Sequence, residues 1–131
     1  MMWDTDVTNR GWMSRKGYAL AIDHKPAQGD TLDPDVPEHP YSQTYRQKLF
    51  DELITQDDHL MQITGLSKDK KGKEFFIVKN SWGTRSGPFG GYVYVSIPYF
   101  AINTVTIILP KAALNKNLAD RIAVSYPRFY Q

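Results

Sequence analysis

The stretch that decides the fold reads His59-Leu60-Met61-Gln62-Ile63-Thr64-Gly65-Leu66, then Ser67-Lys68-Asp69-Lys70-Lys71-Gly72, then Lys73-Glu74-Phe75-Phe76-Ile77-Val78-Lys79 and Asn80. Two apolar runs of strand length flank a polar, glycine-containing turn, which is the pattern of an antiparallel hairpin. Phe75-Phe76-Ile77-Val78 is apolar at consecutive positions, so both faces of that strand are covered and it belongs in the sheet interior. Setting Leu66 opposite Lys73 across the turn carries through to His59 opposite Asn80. Directly opposed residues share a face, with Cβ atoms about 4.5–5.5 Å apart. The hairpin therefore presents a histidine and an asparagine at its open end, and a one-residue slip in the turn would separate them.

Such a pair has a definite chemical use. The amide oxygen of Asn80 accepts a hydrogen bond from one imidazole N–H, which fixes the plane of the His59 ring. The other ring nitrogen is left to exchange a proton with a thiol. An adjacent imidazolium stabilises a thiolate and lowers the thiol pKa. Trp82, two residues beyond Asn80, covers the bond against competing water. Taken singly, each residue has an ordinary reading: a strand-end histidine, the start of a turn at Asn80-Ser81, and a core tryptophan.

Upstream, Met1 to Val7 and Tyr18 to Ile22 read as extended segments separated by Asn9, Gly11 and Gly17. From Lys25 to Tyr41, Pro26, Pro34, Pro37 and Pro40 sit among Gly29, Asp30, Asp33 and Asp35, the composition of an irregular surface connection. Tyr45, Leu49, Leu53 and Ile54, with Phe50 beside them, recur at helical spacing and predict a helix capped by Ser42 and ending near Thr55. Downstream, Thr84 to Gly91 is a glycine-rich loop. Tyr92 to Ile97 and Thr104 to Leu109 are strands, with a turn of helix around Pro98 to Ile102. Lys111 to Ile122 is helical, and Ser125 to Gln131 forms an aromatic tail.

The sequence has 131 residues, 41% hydrophobic and 23% charged, which is one globular domain or less. Sixteen basic against fourteen acidic residues give +2, too small an excess to indicate a nucleic-acid partner. No apolar run is long enough to span a bilayer, and Met1-Met2-Trp3-Asp4 does not open a signal peptide. With no cysteine, this sequence supplies neither a disulfide nor a thiolate. Asp57, Asp58 and His59 are metal-ligand types, but three consecutive extended residues cannot all face one ion. Lys68, Lys70, Lys71 and Lys73 among aromatic residues suit an oligonucleotide-binding barrel, although a solvated hairpin turn accounts for them. His24 and His39 fall in loops and support nothing specific.

The run Lys79-Asn80-Ser81-Trp82-Gly83, followed after the glycine-rich loop by Gly91-Tyr92-Val93-Tyr94-Val95, resembles the asparagine region of papain-like cysteine peptidases. Thr55-Gln56-Asp57-Asp58-His59-Leu60-Met61-Gln62-Ile63-Thr64-Gly65 resembles the histidine region of the bleomycin hydrolase and aminopeptidase C branch. Trp3-Asp4-Thr5-Asp6-Val7 is similar to the strand preceding that region. The resemblance extends from about residue 1 to residue 114. It implies an α+β papain-like fold, mainly the β-rich lobe: an antiparallel sheet or partial barrel with one main helix.

On this resemblance, residues 1–131 are the C-terminal portion of a peptidase domain. His59 and Asn80 map to the catalytic histidine and asparagine, and Trp82 to the supporting tryptophan. The oxyanion-hole glutamine and the nucleophilic cysteine belong to the other lobe, and neither Gln56 nor Gln62 is assigned to that role. The implied activity is that of a cysteine-type aminopeptidase working through a thiolate and an acyl-enzyme, without metal or organic cofactor. The implied partners are a peptide substrate, an N-terminal cysteine-bearing lobe and further copies in a homo-oligomer, with no nucleic acid or membrane; the implied compartment is the cytoplasm. Lys25 to Tyr41 and Asn115 to Gln131 have no counterpart. The rival reading is a non-catalytic papain-like binding or scaffolding module. Either way, the face around His59 and Trp82 is expected to expose apolar area.

Overall fold

A computed structural model describes residues 1–22 and 33–125. Its strands are β1 (Met2–Thr5), β2 (Trp12–Met13), β3 (Tyr18–Ala19), β4 (His59–Lys68), β5 (Glu74–Lys79), β6 (Tyr92–Ser96) and β7 (Thr104–Ile108). Its α-helices are α1 (Gln43–Asp51), α2 (Ile97–Asn103) and α3 (Lys116–Ser125). The strands form one sheet in the order β2-β3-β6-β5-β4-β1-β7. Every pair is antiparallel except β3 and β6, so the sheet is mixed where an antiparallel one was expected. Parallel neighbours require a crossover, and α1 with the β4–β5 hairpin supplies it.

Apolar residues pack on both faces. Phe76 and Val78 of β5 join Trp3, Met61, Ile63, Val93, Val95 and Tyr99 in the larger core, while Phe75 joins Met13 and Leu20 in the smaller. The consecutive apolar residues of β5 therefore serve two cores. Trp3, fully buried, donates from Nε1 to Thr104 Oγ1 at 2.8 Å and packs on Phe100.

Ser42 caps α1, its Oγ accepting from Tyr45 N at 3.1 Å, a contact of about 1 kcal/mol. Tyr45 and Leu49 pack against the core. The helix stops at Asp51, short of the expected Thr55: the N–H groups of Ile54 and Thr55 both return to Leu49 O, and Leu53 takes φ +57°. A leucine in the left-handed region closes the helix where glycine is usual. Leu53 and Ile54, which fit the helical spacing, are consequently exposed, as is Phe50.

The basic run on the hairpin is largely paired with acidic groups. Lys68 meets Glu74 at 3.0 Å, Lys71 meets Asp35 at 2.7 Å, and Lys73 meets the buried Glu38 at 2.6 Å. The other Glu38 oxygen accepts from Ala21 N and Ser96 Oγ, so this carboxylate ties the proline-rich connection to the segment after β3, to Lys73 just before β5 and to the last residue of β6. His24, Pro26, Gly29, Asp30 and the tail beyond Ser125 lie outside the described residues.

Candidate active site

His59 is the first residue of β4 and lies opposite Thr5 of β1. Asn80 follows the last residue of β5 directly, and its N–H donates to Gly91 O at 3.0 Å. Gly91, at φ +88°, has no room for a side chain: a Cβ would lie 2.7 Å from Gly83 O. The glycine-rich loop thus folds back tightly enough to hold the Asn80 backbone.

The hairpin register differs from the one read from the sequence. Leu66 faces Phe76 rather than Lys73, because β4 continues to Lys68 and the connection is Asp69 to Lys73. Asp69 builds that connection: its carboxylate accepts from Lys71 N and Lys73 N at 2.8 and 2.9 Å, and its own N–H donates to Lys73 O. The displacement from the expected register is odd. By itself it would send His59 and Asn80 to opposite faces. A β-bulge between Ile63 and Gly65 shifts the ladder one residue back toward the expected register, after which Ile63 faces Val78 and Gln62 faces Lys79. Carried further, that register would set Met61 against Asn80, leaving His59 as a diagonal neighbour on the same face, within reach of a long side chain.

The side chains meet accordingly. His59 Nε2 lies 2.8 Å from Asn80 Oδ1, which also accepts from Ser81 N at 2.7 Å. A backbone N–H aimed at the same atom assigns it as the amide oxygen, so Nε2 carries the proton. Nδ1 is then the ring nitrogen left for proton exchange. Asn80 is buried, and its Nδ2 has no hydrogen-bond partner among the described residues. The Trp82 ring lies 4.8 Å from the imidazole centroid, tilted by 35°, and is half exposed. The three residues singled out in the sequence are therefore brought together.

Upstream, the buried Asp6 fixes the approach to His59. Oδ1 accepts from Thr8 N, Thr8 Oγ1 and Asn9 Nδ2, and Oδ2 accepts from Gln56 N at 2.9 Å. Asp58 accepts from Val7 N at 2.9 Å, so its carboxylate ties the loop to the end of β1. Burial, followed by the neighbouring Asp57 carboxyl, holds Asp4 above the usual carboxylate range. The sequence did not single out Trp12, whose buried ring meets Trp82 edge-on at 6.4 Å. No local pattern signals a contact between segments so far apart.

The model of the papain family of cysteine proteases matches residues 35–105, more than half of the sequence, and the chain belongs to that family. Among solved structures it is similar to PepW from Lactobacillus rhamnosis, at 22% identity and a TM-score of 0.62. That match covers 96% of this chain but 26% of PepW, so the chain spans about a quarter of its relative. It is also similar to the bromelain protease from Ananas comosus, at 21% identity and a TM-score of 0.42, over 79% of this chain and 37% of the other. No curated protein matches the sequence. The papain-like fold expected from the hairpin and the asparagine motif is thereby established, and the mixed sheet with its helices is consistent with the β-rich lobe.

Proposed function

We propose that this chain is the histidine- and asparagine-bearing portion of a cysteine-type aminopeptidase of the bleomycin hydrolase type, completed by a lobe carrying the nucleophile. The observation that carries the proposal is the 2.8 Å contact between His59 Nε2 and Asn80 Oδ1 beneath Trp82. Asn80 orients the imidazole, and His59 Nδ1 takes the thiol proton. The thiolate attacks the peptide carbonyl, and the C–N bond breaks as the amine leaves with the proton held by His59. Water deprotonated by His59 then cleaves the thioester, releasing the carboxylic acid and returning the proton to the thiol. Trp82 shields the His–Asn bond. Because the sequence contains no cysteine, the isolated chain is inactive. That same composition favours the second reading, a papain-like module that binds without catalysis.

Activity separates the two. The pure chain should not hydrolyse aminoacyl fluorogenic substrates, whereas its assembly with a cysteine-bearing lobe should, in a manner abolished by thiol alkylation. His59→Ala in that assembly should lower turnover roughly 10⁴- to 10⁶-fold. Alkylation-sensitive turnover by the pure chain, or unchanged turnover in the His59→Ala assembly, would overturn the assignment.

A further inference from the structure

Trp82 is held in place by rings. The residue is 50% exposed and lies in the segment that follows β5, with its ring in contact with both His59 and Trp12. The contact with Trp12 is edge-on, at 6.4 Å between centroids and 89° between planes. Trp12, in contrast, is 7% exposed and belongs to β2, opposite Ala19. It packs at 6.0 Å on Tyr99, which is fully buried. Tyr99 is fixed in turn: its hydroxyl donates to Asp6 O at 2.7 Å and accepts from Asn9 Nδ2 at 2.9 Å. Hydrogen bonds and packing therefore lead from the buried Asp6 in the turn after β1, through Tyr99 and Trp12, to the exposed ring over the imidazole.

We infer that Trp12 is a positioning residue for the His59–Asn80 pair: its buried ring holds Trp82 over the imidazole and keeps water from the Nε2–Oδ1 bond. The inference rests on the proposed catalytic role of that pair, although its physical content is present in the isolated chain. An edge-to-face pair of aromatic rings is strong enough to change the balance between seated and displaced Trp82 about 2- to 10-fold. An exposed side chain without that support samples other rotamers. Water then competes for the imidazole N–H, and the ring loses its fixed plane.

The test is a double-mutant cycle in the full 131-residue chain, read by NMR at the His59 imidazole. In the native chain, Trp12 and Trp82 ring protons should show mutual Overhauser contacts, and the His59 ring protons should carry a ring-current shift from Trp82. Trp12→Leu should reduce that shift and accelerate exchange of the Nε2 proton about 2- to 10-fold, in step with the loss of the seated Trp82. Trp12→Phe, which keeps an aromatic ring, should restore much of both. His39, stacked on Tyr45 away from Trp82, serves as the internal control and should be unmoved. In a Trp82→Ala background, Trp12→Leu should have no further effect on His59.

An effect of Trp12→Leu that persists without Trp82, or shifts His39 equally, identifies a general loss of structure and overturns the inference. Absence of the Trp12–Trp82 Overhauser contacts in the native chain overturns it without any substitution, should Trp12→Leu fail to fold. Loss of the catalytic assignment is a separate result, read from His59→Ala turnover alone.

Discussion

Asn80 carries two opposing demands, and Asn80→Ala should expose them. The substitution removes the acceptor shared by His59 Nε2 and Ser81 N. Each bond is worth about 1 kcal/mol net, so their loss costs roughly 2 kcal/mol. Ser81 is exposed and its N–H can turn to water, which keeps that cost at the low end. The substitution also deletes Nδ2, a buried donor without a partner among the described residues. Relief of such a group offsets about 1–3 kcal/mol. The two contributions nearly cancel, and the isolated chain should change stability by no more than about 1 kcal/mol. Urea denaturation with shared baselines measures this, since the midpoint should hardly move and the slope should stay constant. The same variant should free the His59 ring, seen as faster exchange of its Nε2 proton. A loss above about 3 kcal/mol would refute the reasoning, because Nδ2 would then have to be satisfied and Asn80 would be a stabilising core residue.

Two further substitutions probe the supports of the site. Glu38→Ala should cost about 3–5 kcal/mol in urea denaturation, since it leaves the Lys73 ammonium without its carboxylate, held only by the Pro34 and Val36 carbonyls, and releases Ala21 N and Ser96 Oγ. Glu38→Leu combined with Lys73→Met should recover a substantial part of that loss, and failure to do so would show that the carboxylate acts mainly through its backbone contact. Asp4 tests the electrostatics beside β4. Its folded-state pKa is raised, by burial first and by Asp57 second, so the folded chain holds the proton more tightly than the unfolded one. Stability should fall as pH rises from the ordinary carboxylate range through the raised value, and the deficit should persist above it. Asp4→Asn should remove this dependence and stabilise the chain at neutral pH; denaturation midpoints that follow the native chain at every pH would contradict the assignment.

What was legible in the sequence were features set by long runs or by close neighbours. The first half of β4 showed in the alternation of Met61 and Ile63 with Gln62 and Thr64, and β5 with its two-sided burial in a continuous apolar stretch. Ser42 announced the start of α1 because a cap is a local contact. The end of that helix was missed for the complementary reason. Leu53 and Ile54 satisfy the helical period, yet the chain turns away at Asp51 and the two side chains finish exposed. Periodicity reports which residues share a helical face without reporting whether the helix continues. β2, with only two residues, is too short to show a period at all. Its place follows from backbone proximity: Leu20 N donates to Gly11 O at 3.0 Å, and a Cβ on Gly11 would lie 2.1 Å from Leu20 O. Trp12 gains its importance through that contact, and a tryptophan between two glycine-containing turns carries no mark of it.

The hairpin shows why the His59–Asn80 pairing was reached by way of an incorrect register. Whether two residues on neighbouring strands share a face depends on the parity of the residues between them after turns and bulges are accounted for. The sequence-based turn began too early and ended too early, and the net error was odd. The bulge at Thr64 is also odd, and the two together preserve the common face. Each has its own local cause. Asp69 organises the connection by taking two backbone N–H groups, while Thr64 Oγ1 donates to Ile77 O at 3.1 Å where the ladder is interrupted. The agreement at the site therefore does not validate the assumed pairing. It reflects a constraint from the other side of β4: Met61 and Ile63 are buried in the larger core, and β1 fixes their register through Trp3 opposite Met61 and Thr5 opposite His59. With the first half of β4 held there, the odd residue must be absorbed nearer the solvent-exposed turn, where a bulge disturbs the least buried packing.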